Sequence, residues 1–115
     1  MNVLSLFDGI SCSRVALENL NITVDNYFAS EIDKHCIKVS KKNHPDIIHL
    51  GDINKINLED LPRIDFLIGG SPCQDISHAF AGKGLVGSRS SLFHRFVEIK
   101  NKLNPKFFVL ERSIS

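Results

Sequence analysis

Val3-Leu4-Ser5-Leu6-Phe7-Asp8-Gly9-Ile10-Ser11-Cys12 begins as a short apolar run and breaks on an acid and a glycine. A run of that length closed by turn residues reads as a buried strand. The next stretch, Ser13-Arg14-Val15-Ala16-Leu17-Glu18-Asn19-Leu20, has a narrow apolar face in Val15, Ala16, Leu17 and Leu20, with Ser11 or Ser13 placed to cap a helix. The same alternation recurs down the chain. Tyr27 to Ala29, Ile47 to Leu50, Ile64 to Ile68 and Phe107 to Leu110 read as further strands. Asp33 to Asn43 reads as a solvated helix, with Ile37 and Val39 set among Lys34, Lys38, Lys41 and Lys42 and an end imposed near Pro45. Ser90 to Leu103 reads as another helix, because Leu92, Phe93, Phe96, Val97, Ile99 and Leu103 fall near a 3.6 period. Strands alternating with helical spacers predict right-handed crossovers and an open, mostly parallel, doubly wound α/β sheet with helices on both faces. Ser77 to Ser90, rich in Gly and Ser, is the candidate mobile loop.

A chain of 115 residues with 43% hydrophobic content fits a single domain, residues 1–115, with a true core. Its formal charge of +1 lacks the basic excess that marks chains holding duplex DNA by phosphate contacts alone, and neither requires nor excludes a nucleic acid partner. Cys12, Cys36 and Cys73 are odd in number, widely spaced and without a Cys-x-x-Cys pair, which suggests a reducing, cytoplasmic setting. The N-terminus has no cationic region and meets Asp8 early, so neither a signal peptide nor a membrane span is expected. His35, His44, His49, His78 and His94 show no ligand spacing; surface or loop roles are expected for them, and no metal.

In open parallel sheets the ligand lies beyond the carboxyl ends of the strands. Here each predicted strand runs into polar residues: Asp8-Gly9-Ile10-Ser11-Cys12, Glu31, Gly51-Asp52, Gly69-Gly70-Ser71-Pro72-Cys73-Gln74 and Glu111. Any single one of these acids reads equally well as a loop residue or a cap. Together they describe a site for a nucleoside-bearing cofactor: a glycine turn before a helix offers free N–H groups, and an acid ending the second strand suits ribose hydroxyls. Positions 9, 11 and 14 read Gly, Ser and Arg instead of the three glycines of dinucleotide binders, which points to a cofactor without pyrophosphate, such as S-adenosylmethionine (AdoMet). Cys73, in a loop narrowly specified by Gly and Pro, reads as a nucleophile; Cys12 and Cys36 read as structural thiols.

Leu6-Phe7-Asp8-Gly9-Ile10-Ser11-Cys12, Ala29-Ser30-Glu31-Ile32-Asp33, Gly51-Asp52-Ile53, Gly69-Gly70-Ser71-Pro72-Cys73-Gln74, Arg89-Ser90-Ser91-Leu92-Phe93 and Phe108-Val109-Leu110-Glu111 resemble, in order and spacing, the first six motifs of the cytosine-5 DNA methyltransferases. The resemblance implies a Rossmann-like AdoMet-dependent methyltransferase fold. It implies that Phe7, Asp8, Gly9 and Ile10 line the AdoMet site, that Glu31 with neighbouring Ile32 holds the ribose, and that Asp52 and Ile53 contact the adenine. By the same resemblance Ser71 and Pro72 shape the catalytic loop, Leu92 lies near the cofactor, Cys73 is the nucleophile and Glu111 its partner acid. The implied partner is DNA with the target cytosine flipped out of the stack.

The chain departs from that pattern in places. Arg112 stands after Glu111 where the family continues with Asn, Ser13 stands where many relatives have Gly, and Asp75 adds a negative charge after Gln74 that would raise the Cys73 pKa. There is no Gln-x-Arg-x-Arg motif and no target recognition domain, so an incomplete methyltransferase is expected. The rival readings are a non-catalytic remnant that binds AdoMet, one half of a split enzyme needing a complementing chain, and an RNA cytosine methyltransferase. Lys83, Arg89, Arg95, Lys100 and Lys102 are candidates for phosphate contacts or, more simply, for a solvated face.

Overall fold

A computed structural model describes residues 1–69 and 86–110. Its strands are β1 (Asn2–Leu6), β2 (Asn26–Ser30), β3 (Ile48–His49), β4 (Phe66–Gly69) and β5 (Phe107–Leu110), and its helices are α1 (Cys12–Asn19), α2 (Lys34–Asn43) and α3 (Val86–Leu103). All strand pairs are parallel, in the order β3-β2-β1-β4-β5. This is the open doubly wound sheet that the alternation of runs and spacers predicts. α3 begins at Val86, inside the stretch expected as a loop up to Ser90; the rest of that stretch, residues 77–85, lies outside the described residues.

The pleat divides the core into two layers. Leu4, Leu6, Phe28 and Leu67 face one way, against Phe96 and Ile99 of α3 and against Ile53, Ile56 and Ile64. Val3, Tyr27, Ala29 and Ile68 face the other, against Leu17 of α1 and Ile47. Helices therefore cover both faces. The apolar face predicted for α1 is narrower than the sequence suggested: Leu17 is buried while Val15 and Leu20 are 43% and 69% exposed. The reason is spacing, since buried Ser13 sits one turn before Leu17, whereas Val15 and Ala16 fall on the flanks of that line.

α2 is the solvated helix expected. Ser40 is its buried residue, and Asp33 caps it by accepting from the His35 and Cys36 amides at 2.8 and 3.2 Å. Its last residue, Asn43, is followed by His44 at φ −138° and ψ 78°, outside the helical region that Pro45 disfavours in the residue before it. Between β3 and β4 the chain forms two single 3-10 turns, Ile53–Lys55 and Leu58–Asp60, in place of a helix; Asp52 and Asn57 cap them through the amides of Asn54 and Glu59.

Replacing Asp33 by Ala removes a cap and should cost about 0.5–2 kcal/mol. Leu67→Ala, in the centre of the sheet, should cost roughly 2–5 kcal/mol. Urea unfolding midpoints with unchanged slopes would check both.

Candidate functional site

The carboxyl ends of β1, β2 and β4 meet along one rim. Leu6, the last residue of β1, pairs with Ser30 of β2 and Gly69 of β4, so three strands stop at the same level. Beyond β1 the backbone takes positive φ at Phe7 (58°), Gly9 (64°) and Ser11 (70°). Glycine adopts that region freely; the other two are held there against a cost of about 1–3 kcal/mol each.

Glu31 accounts for part of that hold. Its Oε1 accepts the Gly9 N–H at 2.8 Å, and its Oε2 accepts the amides of Ile32 and Asp33 at 3.1 and 3.0 Å. One carboxylate thus joins the turn after β1 to the end of β2. Ser30 extends the link sideways, donating from Oγ to the Gly51 carbonyl at 2.8 Å. Gly51 has φ +78°, and among the described residues a Cβ built on it meets nothing within 4 Å. Ile10 and Ile32 stand 38% and 72% exposed on the same rim.

Other members of the predicted set turn inward. Asp8 is 1% exposed. Its Oδ1 accepts the Tyr27 phenol at 2.6 Å and its Oδ2 accepts the Ser11 hydroxyl. Burial pushes its pKa up, and the bonds from Ser11 and Tyr27 oppose that shift. Tyr27 is itself driven far above the ordinary phenol range by burial and by the neighbouring Asp8. Ile53 is buried and Phe7 packs against the same core layer, while the Asp52 carboxylate is engaged as a cap. Leu92 lies in α3. Ser71, Pro72, Cys73 and Glu111 lie outside the described residues.

Three expectations change. Ser11 occupies the position before α1, yet its hydroxyl makes no cap bond; it is drawn to Asp8 and lies 2.6 Å from Ser40 Oγ. Arg95 does not lie on a solvated face. Its guanidinium donates to the carbonyls of Ile53 at 3.1 Å and Ile56 at 3.2 Å and pairs with Glu98, bracing the β3–β4 connection beside a cleft of about 270 Å³. His49 lies in β3, within the run read as a strand, but its ring is not at the surface: both nitrogens are buried and make no hydrogen bond among the described residues. The roles of Tyr27, Ser40 and Arg95 were not legible in the sequence because their partners lie 19, 29 and 42 positions away. Among the described residues no cluster of His, Cys, Asp and Glu suited to a metal occurs, and no helix is long and apolar enough to cross a membrane.

Residues 1–113 match the family model described as C-5 cytosine-specific DNA methylase. The orphan methyltransferase M.SPRI of Bacillus phage SPR is 40% identical over 96% of this chain and 26% of its own length. The type II methyltransferase M1.ScrFI of Lactococcus lactis subsp. cremoris is 40% identical over 95% of this chain and 28% of its own. The chain thus spans about a quarter of the length of these relatives. Among solved structures, S. pombe Dnmt2 methyltransferase superposes with a TM-score of 0.64 at 22% identity, covering 90% of this chain and 31% of that one, which establishes a shared fold.

Burial, aided by the Lys41 charge, holds His49 below the ordinary histidine range. Its contribution to stability is therefore present above about pH 6.5 and lost as the pH falls through the folded-state value. Asp8, with a raised pKa, has the opposite slope, so the His49 contribution is read as a difference between wild type and variant. His49→Gln should lose less stability than wild type between pH 7.5 and 5.5, as read from urea midpoints at the two values.

Proposed function

Since the chain belongs to the C-5 cytosine-specific DNA methylase family, we propose that it forms the cofactor-binding and nucleophile-bearing part of an enzyme that moves a methyl group from AdoMet to C5 of cytosine in DNA. The observation that carries this reading is the junction of the Gly9 amide and the Glu31 carboxylate on the rim where β1, β2 and β4 end together.

These groups suit AdoMet. Glu31 presents carboxylate oxygens with the acceptor chemistry that ribose hydroxyls need, and Gly9 sits in a turn with its amide directed to the same place. Phe7, Ile10 and Ile32 supply apolar surface around that turn, with Asp8 acting through the loop shape it fixes. Asp52 and Ile53 serve the adenine end, next to Gly51. As members of the family's motifs, Ser71, Pro72 and Leu92 would complete the cofactor site.

AdoMet, when bound, supplies an electrophilic methyl group on a sulfonium. Cytosine C5 is a poor nucleophile, so the chain must activate it. The Cys73 thiolate adds to C6 and forms a C–S bond while the electron pair of the ring double bond moves toward C5. Glu111 holds a proton at N3, where charge develops during that addition. Once C5 carries the methyl group, removal of its proton returns an electron pair to the ring and expels the Cys73 thiolate. None of this can reach a stacked base, so the cytosine must be flipped out of the duplex.

A second reading is one part of a split methyltransferase completed by another chain. It is favoured by β5, whose Phe107, Phe108 and Val109 are half-exposed on an edge strand, the kind of apolar surface that a further element normally covers.

Incubating the chain with AdoMet and a duplex carrying 5-fluorocytosine should trap a covalent adduct, stable to denaturing electrophoresis and lost in Cys73→Ala. AdoMet binding with no adduct would favour a non-catalytic remnant that binds AdoMet, and an adduct on RNA alone would replace the DNA assignment. Glu31→Gln should weaken AdoMet binding about ten- to hundredfold by calorimetry, the range for loss of hydrogen bonds to a charged group.

A further inference from the structure

Asp8 is a buried carboxylate served by hydroxyls. Its two oxygens take the Tyr27 phenol, at 2.6 Å, and the Ser11 hydroxyl. Ser11 has a single hydroxyl proton and gives it to Asp8, so its 2.6 Å contact with Ser40 must have Ser40 as donor. The result is a directed chain, Ser40 to Ser11 to Asp8, met from the other side by Tyr27. Ser40 is 0% exposed, Ser11 0% and Tyr27 2%. Among the described residues no cation pairs with Asp8.

The chain joins α2 and β2 to the turn after β1. That turn contains Phe7 and Ser11, the two non-glycine residues held at positive φ on either side of Gly9. Conformations of that kind persist only where the surroundings over-determine them. The backbone helps, since the Asp8 amide donates to the Ser30 carbonyl at 3.1 Å and the Ser11 amide to the Asp8 carbonyl at 3.2 Å. The side chains fix the remaining freedom of Asp8 and Ser11, and with it the direction of the Gly9 N–H toward Glu31.

We infer that Tyr27 and Ser40 are positioning residues of the cofactor loop, acting through Asp8 and Ser11 on the Gly9 amide. Their functional consequence rests on the AdoMet reading above. The directed chain is that of the ionised carboxylate, which accepts from both hydroxyls; a protonated Asp8 carries a donor of its own that competes with them. The groups facing Asp8 are Ser5 from β1, Tyr27 from β2 and Glu31 just after it, Ser40 through Ser11 from α2, and His49 from β3. Glu31 adds like charge, and His49 is held toward its neutral form, so the hydroxyls are what favours the charged carboxylate. Removing either Tyr27 or Ser40 as a donor should make Asp8 easier to protonate.

The test tracks the Asp8 carboxyl by carbon NMR in the ligand-free chain while the Gly9 amide shift is recorded across the same pH range. In wild type the Gly9 shift should trace the Asp8 titration curve. In Tyr27→Phe and in Ser40→Ala the midpoint should rise by about half a unit or more, and AdoMet affinity at pH 7 should fall about threefold or more, the scale of one lost hydrogen bond. The inference is overturned if the Gly9 shift ignores Asp8 in wild type, a measurement that needs no variant to fold, or if the variant midpoints coincide with wild type. Wild-type chain that binds no AdoMet while these NMR couplings appear would sink the cofactor reading and leave the loop coupling standing.

Discussion

The pairing of β1 with β2 on one edge and β4 on the other is the constraint that sets the geometry of the rim. Parallel strands in register must end together, and Leu6, Ser30 and Gly69 do so. The amino ends are tied as well. Asp65 accepts the Asn2 amide on its Oδ2 at 2.8 Å and returns its own amide to the Asn2 carbonyl, while its carbonyl accepts from Phe107. With both ends of β1 and β4 fixed and β2 ending level with them, the turns that leave β1 and β2 emerge side by side, which is why a Gly9 amide can reach a Glu31 carboxylate across 22 positions of sequence.

Several features of that rim work against stability taken alone. A buried carboxylate is disfavoured by desolvation, and two non-glycine residues at positive φ carry strain. Such features survive when neighbouring elements offset them, and here the offset comes from two packed layers of apolar side chains beneath the rim. The concentration of these costly features just beyond the end of β1 fits a rim shaped for a ligand.

The β3–β4 connection shows a different solution. Without a helix, it packs Ile53 and Ile56 into the core and is further held by short caps and by Arg95, which reaches from α3 to two backbone carbonyls. Carbonyls in an irregular segment need donors, and a planar guanidinium can serve two at once. On the far side, β5 leaves Phe107, Phe108 and Val109 half-exposed, with Lys100 and Lys106 standing 4.8 and 5.6 Å from the Phe108 and Phe107 ring centres. Aliphatic stems and cationic ends give that edge partial cover from water.

Strand identity, the helical spacers, the α/β class and the acids at the strand ends were legible in the residues themselves, because apolar runs and turn residues act locally. Asp33 at the start of α2 and Pro45 as its stop are further local effects, and both stand. The inward turn of Asp8, the diversion of Ser11 from capping, the partners of Tyr27 and Ser40, and the bracing by Arg95 were not legible. Each depends on which face of the sheet a side chain enters and on what another element brings there. A sequence specifies the chemistry of a hydroxyl or a carboxylate; only the packed sheet decides which of them are taken out of water together, and burial then leaves them no partner but one another.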